Sequence, residues 1–341
     1  MMSSLLPDSE SSITDTPVLS PQYSVPSTQY SVPSTEIPLG TIRPIPRRPA
    51  RVPGFKERLI LRGSAFLQNL FGCRGTDRFG ILMYHRVTDV IHGVPEPTWN
   101  VTPRRLEQQL AGLLHRGFEA WPLRNVLELH QAGEPIPRQV FAVTFDDGYE
   151  CVHTRAWPIL QRLQIPATIF LSTAYLDSGE PFPCDDWLAA GSDRVPTQSW
   201  RPLTTQQCRQ MQASGLIELA AHTHSHDDFR GRPEALRVDF QQNQQELQER
   251  FGISHATFAF PYGVVRDGFV GGEMSDVARE AGFLSALSTE PELVSRNQDP
   301  FTWGRFPAEQ HDTAATLAAK LGGWTCALRG IKQAIQNRAG N

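Results

Sequence analysis

Cysteine is scarce in this chain, and its spacing is wrong for its two common structural uses. The five residues Cys73, Cys151, Cys184, Cys208 and Cys326 are odd in number and contain no Cys-x-x-Cys pair, which argues against a disulfide framework and against a thiolate zinc site. Lysine is scarcer, with only Lys56, Lys320 and Lys332. Positive charge is therefore almost wholly arginine, spread along the whole chain as coding bias would spread it. No apolar run reaches the ~18–20 residues of a membrane span. Met1–Ser12 has neither the charged nor the apolar region of a signal peptide, so the expected location is cytoplasmic. Neither Gly-x-Gly-x-x-Gly nor Gly-x-x-x-x-Gly-Lys-Ser/Thr occurs, leaving nucleotide binding without local support. A net charge of −4 argues against a nucleic-acid-binding surface over the whole molecule.

What is present suits a globular protein. Hydrophobic residues make up 40% of 341, enough to build a core in one large or two ordinary domains. Residues 1–54 stand apart: rich in Pro, Ser and Thr, they contain a tandem duplication, Gln22–Thr28 repeated as Gln29–Thr35. Such a stretch has too little apolar surface to offset chain entropy and reads as a disordered tail. Residues 55–78 follow as a basic helix and linker. Phe55, Leu59, Phe66, Leu67, Leu70 and Phe71 recur at helical spacing with Lys56, Arg58 and Arg62 between them. That pattern fits either a helix packed on the domain with its arginines in water, or peripheral membrane association through residues 55–71.

From Phe79 to the end the chain alternates strand-like and helix-like runs. The expected strands are Ile81–Tyr84, Val140–Phe145, Ala167–Leu171, Ile217–Ala221, Ala256–Phe260, Phe283–Leu287 and Phe301–Phe306. Helical runs separate them, and Thr313 to Arg338 reads as a closing helix. Strands alternating with ten-to-fifteen-residue helices imply parallel pairing through crossovers. About seven such units favour a partly closed barrel over an open sheet.

Two constellations carry chemistry. Val140-Phe141-Ala142-Val143-Thr144-Phe145 ends in Asp146-Asp147-Gly148, so two carboxylates sit where a buried strand opens out, the usual place for a site in α/β folds. Ile217–Ala221 ends in His222-Thr223-His224-Ser225-His226. Histidines four apart can share one metal, and two imidazoles with one carboxylate leave positions open for water and substrate. Such a set suits Zn²⁺ best, with Co, Ni or Fe as alternatives. Neighbouring acids on an extended backbone point oppositely, so one could bind the metal while the other handles a proton. His224 points elsewhere and reads as structural.

Together with Phe258-Ala259-Phe260-Pro261-Tyr262-Gly263, these motifs resemble the polysaccharide deacetylase family, the NodB-homology domain of carbohydrate esterase family four, over about Phe79 to Gly323. The resemblance implies a distorted (β/α)7 barrel and removal of N-acetyl groups from an amino-sugar glycan. It implies Asp146 as general base, Asp147, His222 and His226 as metal ligands, and the Tyr262 backbone N–H, aimed by Pro261, as oxyanion donor. Two departures stand out. Ala259 takes the place of an Arg that most members pair with the base, and no late Leu-x-x-His supplies an acid. Instead, Ile81-Leu82-Met83-Tyr84-His85-Arg86-Val87 and Trp303-Gly304-Arg305-Phe306 resemble a subgroup of poly-N-acetylglucosamine deacetylases with permuted motifs. There the first-strand His serves as acid, which makes His85 the candidate, with His311 as rival, and Arg305 the stand-in for the missing Arg.

The segment Asp177 to Pro202 is long for a plain connection. Its Trp187 and Asp186 could meet a sugar face and its hydroxyls, or its aromatics could pin the loop to the barrel. Two other functions stay open: an amide or cyclic-imide hydrolase using the same site, and a glycan-binding protein with an idle one.

Overall fold

The computed structural model describes residues 53–339 except 76, 184, 186 and 188–193. Almost all of the expected tail, with its repeat, lies outside the described residues, as does Asp186. Seven parallel strands organise the rest: β1 (Arg78–Tyr84), β2 (Val140–Phe145), β3 (Ala167–Leu171), β4 (Ile217–Ala221), β5 (Phe258–Ala259), β6 (Ala286–Leu287) and β7 (Phe306–Pro307). Each of β1 to β5 pairs with the next, and β7 pairs back to β1 through Leu82 and Phe306.

Between β6 and β7 the ladder thins to a seam. Leu287 bridges Trp303, and the Ser288 N–H donates to the Trp303 carbonyl at 2.7 Å. The α/β expectation of a distorted seven-unit barrel is met, with this seam as the distortion. The expected strand over Phe301–Phe306 is mostly absent. Pro300–Thr302 instead forms a 3-10 turn in which the Asp299 carboxylate accepts from the Phe301 N–H. Proline brings no donor to a ladder, and the Asp side chain offers the backbone a local partner.

Period-two alternation sorts the core. Phe141, Val143 and Phe145 join the larger apolar cluster, with the buried residues of the surrounding helices. Val140 and Ala142 join Phe79, Ile81, Phe170, Ala220, Ala259, Leu287 and Trp303 in a second cluster inside the ring. Continuing that inner row by twos gives Thr144 and Asp146. The strand's own periodicity thus puts Asp146 at the barrel mouth.

The helices are α1 (Phe55–Phe71), α2 (Pro103–Leu114), α3 (Leu123–Ala132), α4 (Trp157–Leu163), α5 (Thr205–Ala213), α6 (Pro233–Phe251), α7 (Glu273–Glu280), α8 (Ala314–Leu321) and α9 (Trp324–Ala339). Thr204 starts α5 with a reciprocal capping box to Gln207, and Pro233 sits in the first turn of α6, where its missing N–H costs nothing. The helical segment expected over 313–338 is present as two helices, with Gly322-Gly323 between them. Gly323 has φ +82°, and a Cβ on Gly322 would collide with the Gln68 side chain of α1. Helix α1 packs on α8 and α9. Among the described residues no helix is long and apolar enough to cross a membrane.

Candidate active site

The β2 strand delivers Asp146 in register, its N–H donating to the Tyr84 carbonyl at 2.9 Å. Asp147 then turns into the left-handed region at φ 70°. This corrects the expectation that two extended neighbours would simply point apart: a left-handed turn, not strand alternation, separates the two acids. Such backbone is costly outside glycine and collects at functional sites. Of nine described non-glycine residues with positive φ, five lie here: Trp99, Asp147, Thr223, His226 and Tyr262.

Asp147 Oδ1 lies 3.3 Å from His222 Nε2 and 3.2 Å from His226 Nε2. The His222 Nδ1 sits 2.7 Å from the Ala259 carbonyl, which can only accept. Nδ1 therefore carries a proton, which leaves Nε2 as the nitrogen facing Asp147. Asp147 Oδ1 itself is buried with no hydrogen-bond donor. A buried carboxylate oxygen facing imidazole nitrogens is the donor set a divalent cation takes, so these three residues fit one. Burial would raise the Asp147 pKa, but the two facing imidazoles outweigh it and hold the carboxyl well below the usual range.

The histidine loop is braced from α6. Asp239, nearly buried, accepts from the His224 and Ser225 N–H groups and from the Ser225 hydroxyl. One turn on, the Asn243 amide donates to the Thr223 carbonyl at 2.7 Å and the Leu171 carbonyl at 3.3 Å. His224 turns its ring to the Thr173 hydroxyl, as its structural reading requires. Reasoning on motifs missed Asp239 and Asn243. Their signal was present: two polar residues four apart on the helix face that also carries Leu236, Phe240 and Leu247.

Arg305, fully buried at the seam, grips Asp146 with both arms of its guanidinium, at 2.6 and 2.8 Å. Its Nε donates to the Ser288 carbonyl at 3.1 Å. A planar fork on a carboxylate is the strong, orienting form of this pair. Burial works to raise the Asp146 pKa; Arg305 above all, then His222 and His85, reverse it and keep the carboxyl ionised below its ordinary range. His85 Nε2 stands 3.8 Å from Asp146 Oδ2, while the ring stacks on Trp99 at 5.4 Å and 17°. Burial lowers the His85 pKa, and Asp146 and Asp147 act against that. Trp99, 48% exposed, is an aromatic face at the site that no motif announced.

Pro261-Tyr262-Gly263 forms a tight turn with Tyr262 at φ 63° and the Gly263 N–H donating to the Pro261 carbonyl at 2.7 Å. The turn lies beside His226, whose ring is 5.1 Å from that of Tyr262. A Cβ on Gly263 would press on Thr289 at 2.8 Å. The rival acid His311 is not at this site. It pairs with Glu309 at 3.2 Å, and its charged surroundings are Asp312, Lys320, Glu57 and Arg58. Glu309, His311 and Asp312 form a second cluster, but the buried Asp312 is already neutralised by Lys320 Nζ at 2.6 Å.

Trp187 is corrected. It is 4% exposed, its indole N–H donates to the Pro95 carbonyl at 2.8 Å, and the Arg86 guanidinium covers one ring face at 4.8 Å. That burial matches the reading in which the aromatic pins the loop. Arg86, the residue after His85, also lies over Tyr149 and pairs with the buried Asp185. Asp185 and Trp187 of the long connection are thus tied to the residue that follows His85. Glu150 and Arg201 fasten the connection's far end through two bonds of 2.7 and 2.8 Å.

Residues 133–284 match the family described as polysaccharide deacetylase. An Escherichia coli K12 protein named poly-β-1,6-N-acetyl-D-glucosamine N-deacetylase is 32% identical over 145 residues, covering 42% of this chain and 20% of the relative. A Staphylococcus aureus MRSA252 protein of the same name is 23% identical over 212 residues, 60% of this chain and 66% of the relative. The chain therefore spans about a fifth of the length of the first relatives it matches. Among solved structures, a Streptococcus pyogenes deacetylase in complex with acetate superposes with a TM-score of 0.60 at 18% identity, covering 72% of this chain and 99% of that one. IcaB from Ammonifex degensii gives 0.57 at 22% identity, covering 73% and 97%. These two likenesses speak for the fold.

Proposed function

We propose that the protein is a metal-dependent hydrolase that removes N-acetyl groups from an amino-sugar oligosaccharide or polysaccharide, with residues 79–341 as the catalytic unit. The observation that carries this reading is one geometry: the Arg305–Asp146 pair stands beside the Asp147–His222–His226 trio at the mouth of a barrel. The names of the Escherichia coli and Staphylococcus aureus relatives point to the same bond and suggest a β-1,6-linked N-acetylglucosamine polymer as substrate.

Asp147, His222 and His226 would hold one divalent ion, with zinc suited best to two imidazoles and a carboxylate. When bound, such an ion lowers the pKa of water toward neutrality and polarises the amide carbonyl. The protein's own groups do the rest. Asp146, kept ionised and aimed by Arg305, accepts the proton of the attacking water. The Tyr262 N–H, in its left-handed turn beside His226, is placed to meet the oxygen as it gains charge. His85, across from Asp146, delivers a proton to the departing nitrogen, so that water and amide become acetate and a free amine. Trp99 holds the His85 ring on one face and leaves the other for a sugar.

Acetate release from N-acetylglucosamine oligomers, with added Zn²⁺ or Co²⁺, tests the reading. Wild type should release acetate, and Asp146→Asn should lose at least about 10²-fold in kcat, in the range typical of a removed general base. Unchanged turnover in that variant would remove Asp146 from its role. Cleavage of small amides or cyclic imides in preference to the oligomers would move the substrate elsewhere. Tight oligomer binding with no acetate release would make the protein a glycan binder.

A further inference from the structure

Helix α1 is turned the wrong way for an ordinary surface helix. Its buried residues are Leu61, Ser64 and Gln68, a row that is two-thirds polar. Phe55, Leu59, Phe66 and Leu70 face away, at 83%, 64%, 67% and 60% exposure. At 3.6 residues per turn these four fall within about 60° of one another and roughly opposite the buried row. Phe71 at the last turn is 64% exposed as well. Half of the ten exposed large hydrophobic side chains among the described residues are therefore on this one helix.

Charge is sorted in the same way. Glu57, the only acid on α1, turns inward to Arg329 of α9 at 3.5 Å. Lys56, Arg58 and Arg62 are exposed on the flanks of the apolar stripe. Just upstream the sequence adds Arg43, Arg47, Arg48 and Arg51, with no acid between Glu36 and Glu57. An apolar stripe with bases on its shoulders is the pattern of a helix lying in the headgroup layer of a membrane.

We propose that α1 docks the protein on an anionic lipid surface. Phe55, Leu59, Phe66 and Leu70 enter the acyl boundary while Lys56, Arg58 and Arg62 meet lipid phosphates. A second copy of the chain is the weaker occupant, because the exposed side of α1 carries no acid to meet these bases. The inference is independent of the reaction catalysed.

Flotation of the full chain with phosphatidylcholine vesicles, with and without a third of phosphatidylglycerol, tests it. Wild type should partition about tenfold or more in favour of the anionic vesicles and should be released by salt. A Leu59→Ser/Phe66→Ser double variant should lose binding while keeping its melting temperature and its activity on soluble oligomers, since both residues are exposed. An Arg58→Gln/Arg62→Gln variant should lose the preference for anionic lipid. Failure of wild type to bind vesicles overturns the proposal, as does equal binding to neutral vesicles. A concentration-dependent dimer that the Leu59→Ser/Phe66→Ser variant dissolves, without vesicle binding, overturns it in favour of a protein interface.

Discussion

Arg305 and Asp146 make the most consequential pair in the molecule at the scale of single residues. The guanidinium has no exposure to water and its fork meets both carboxylate oxygens. Lysine has one charged point where arginine has a planar fork, so the exchange is not conservative here. Arg305→Gln is expected to strand the buried Asp146 charge, costing about 3–5 kcal/mol of stability. A urea titration measures it, and an unchanged midpoint would mean the pair contributes nothing. Arg305→Lys should keep more of the stability but lower kcat, because Asp146 would no longer be aimed. The motif made Asp146 legible, since the inner row of β2 runs Val140, Ala142, Thr144, Asp146. Arg305 was reachable only because Ala259 left the usual partner's place empty. Trp99 was not reachable: its use depends on a left-handed backbone that stacks it on His85, and no local pattern encodes that.

Among the elements, α6 is the one whose function its own sequence conceals. Read alone, Asp239 and Asn243 look like polar interruptions of an apolar face. In the fold they are buried and accept or donate to the loop carrying His222 and His226. Groups that orient metal ligands typically cost about 10–100-fold in metal affinity when removed. Asp239→Ala is therefore expected to weaken Zn²⁺ binding by about that factor, measured by competition with a chromophoric chelator. An unaltered affinity would show that the loop holds its shape without α6. Strand ends were harder to read than strand centres. β5 and β6 are only two residues each, shorter than the apolar runs around them, because the barrel pairs just where neighbouring backbones approach. The break at Gly322-Gly323 goes with the left-handed backbone of Gly323, while the close approach of Gln68 that leaves no room for a side chain on Gly322 comes from more than two hundred residues earlier, outside any window of local sequence.

For the whole molecule, the barrel was legible from the count of strand–helix units, and its seam was not. A ligand that binds only the folded state stabilises it by mass action, by about 2.7 kcal/mol at a hundred times its Kd. Excess chelator should accordingly lower the melting temperature of protein purified with its metal, and Zn²⁺ should restore it. His222→Ala should melt at one temperature with or without Zn²⁺. A shift that persists in this variant would place the stabilising ion elsewhere, and the Glu309–His311–Asp312 cluster would be the next place to look.

The seam between β6 and β7 is spanned by Trp303, Gly304 and Arg305, and the last of these is the residue that grips Asp146. Sealing the ring and arming the base are thus a single event. Without this segment in place Asp146 would keep only His85 and His222 as charge partners and lose its guanidinium fork. A change that loosens this seam would therefore reach the base directly, through the one side chain that belongs to both.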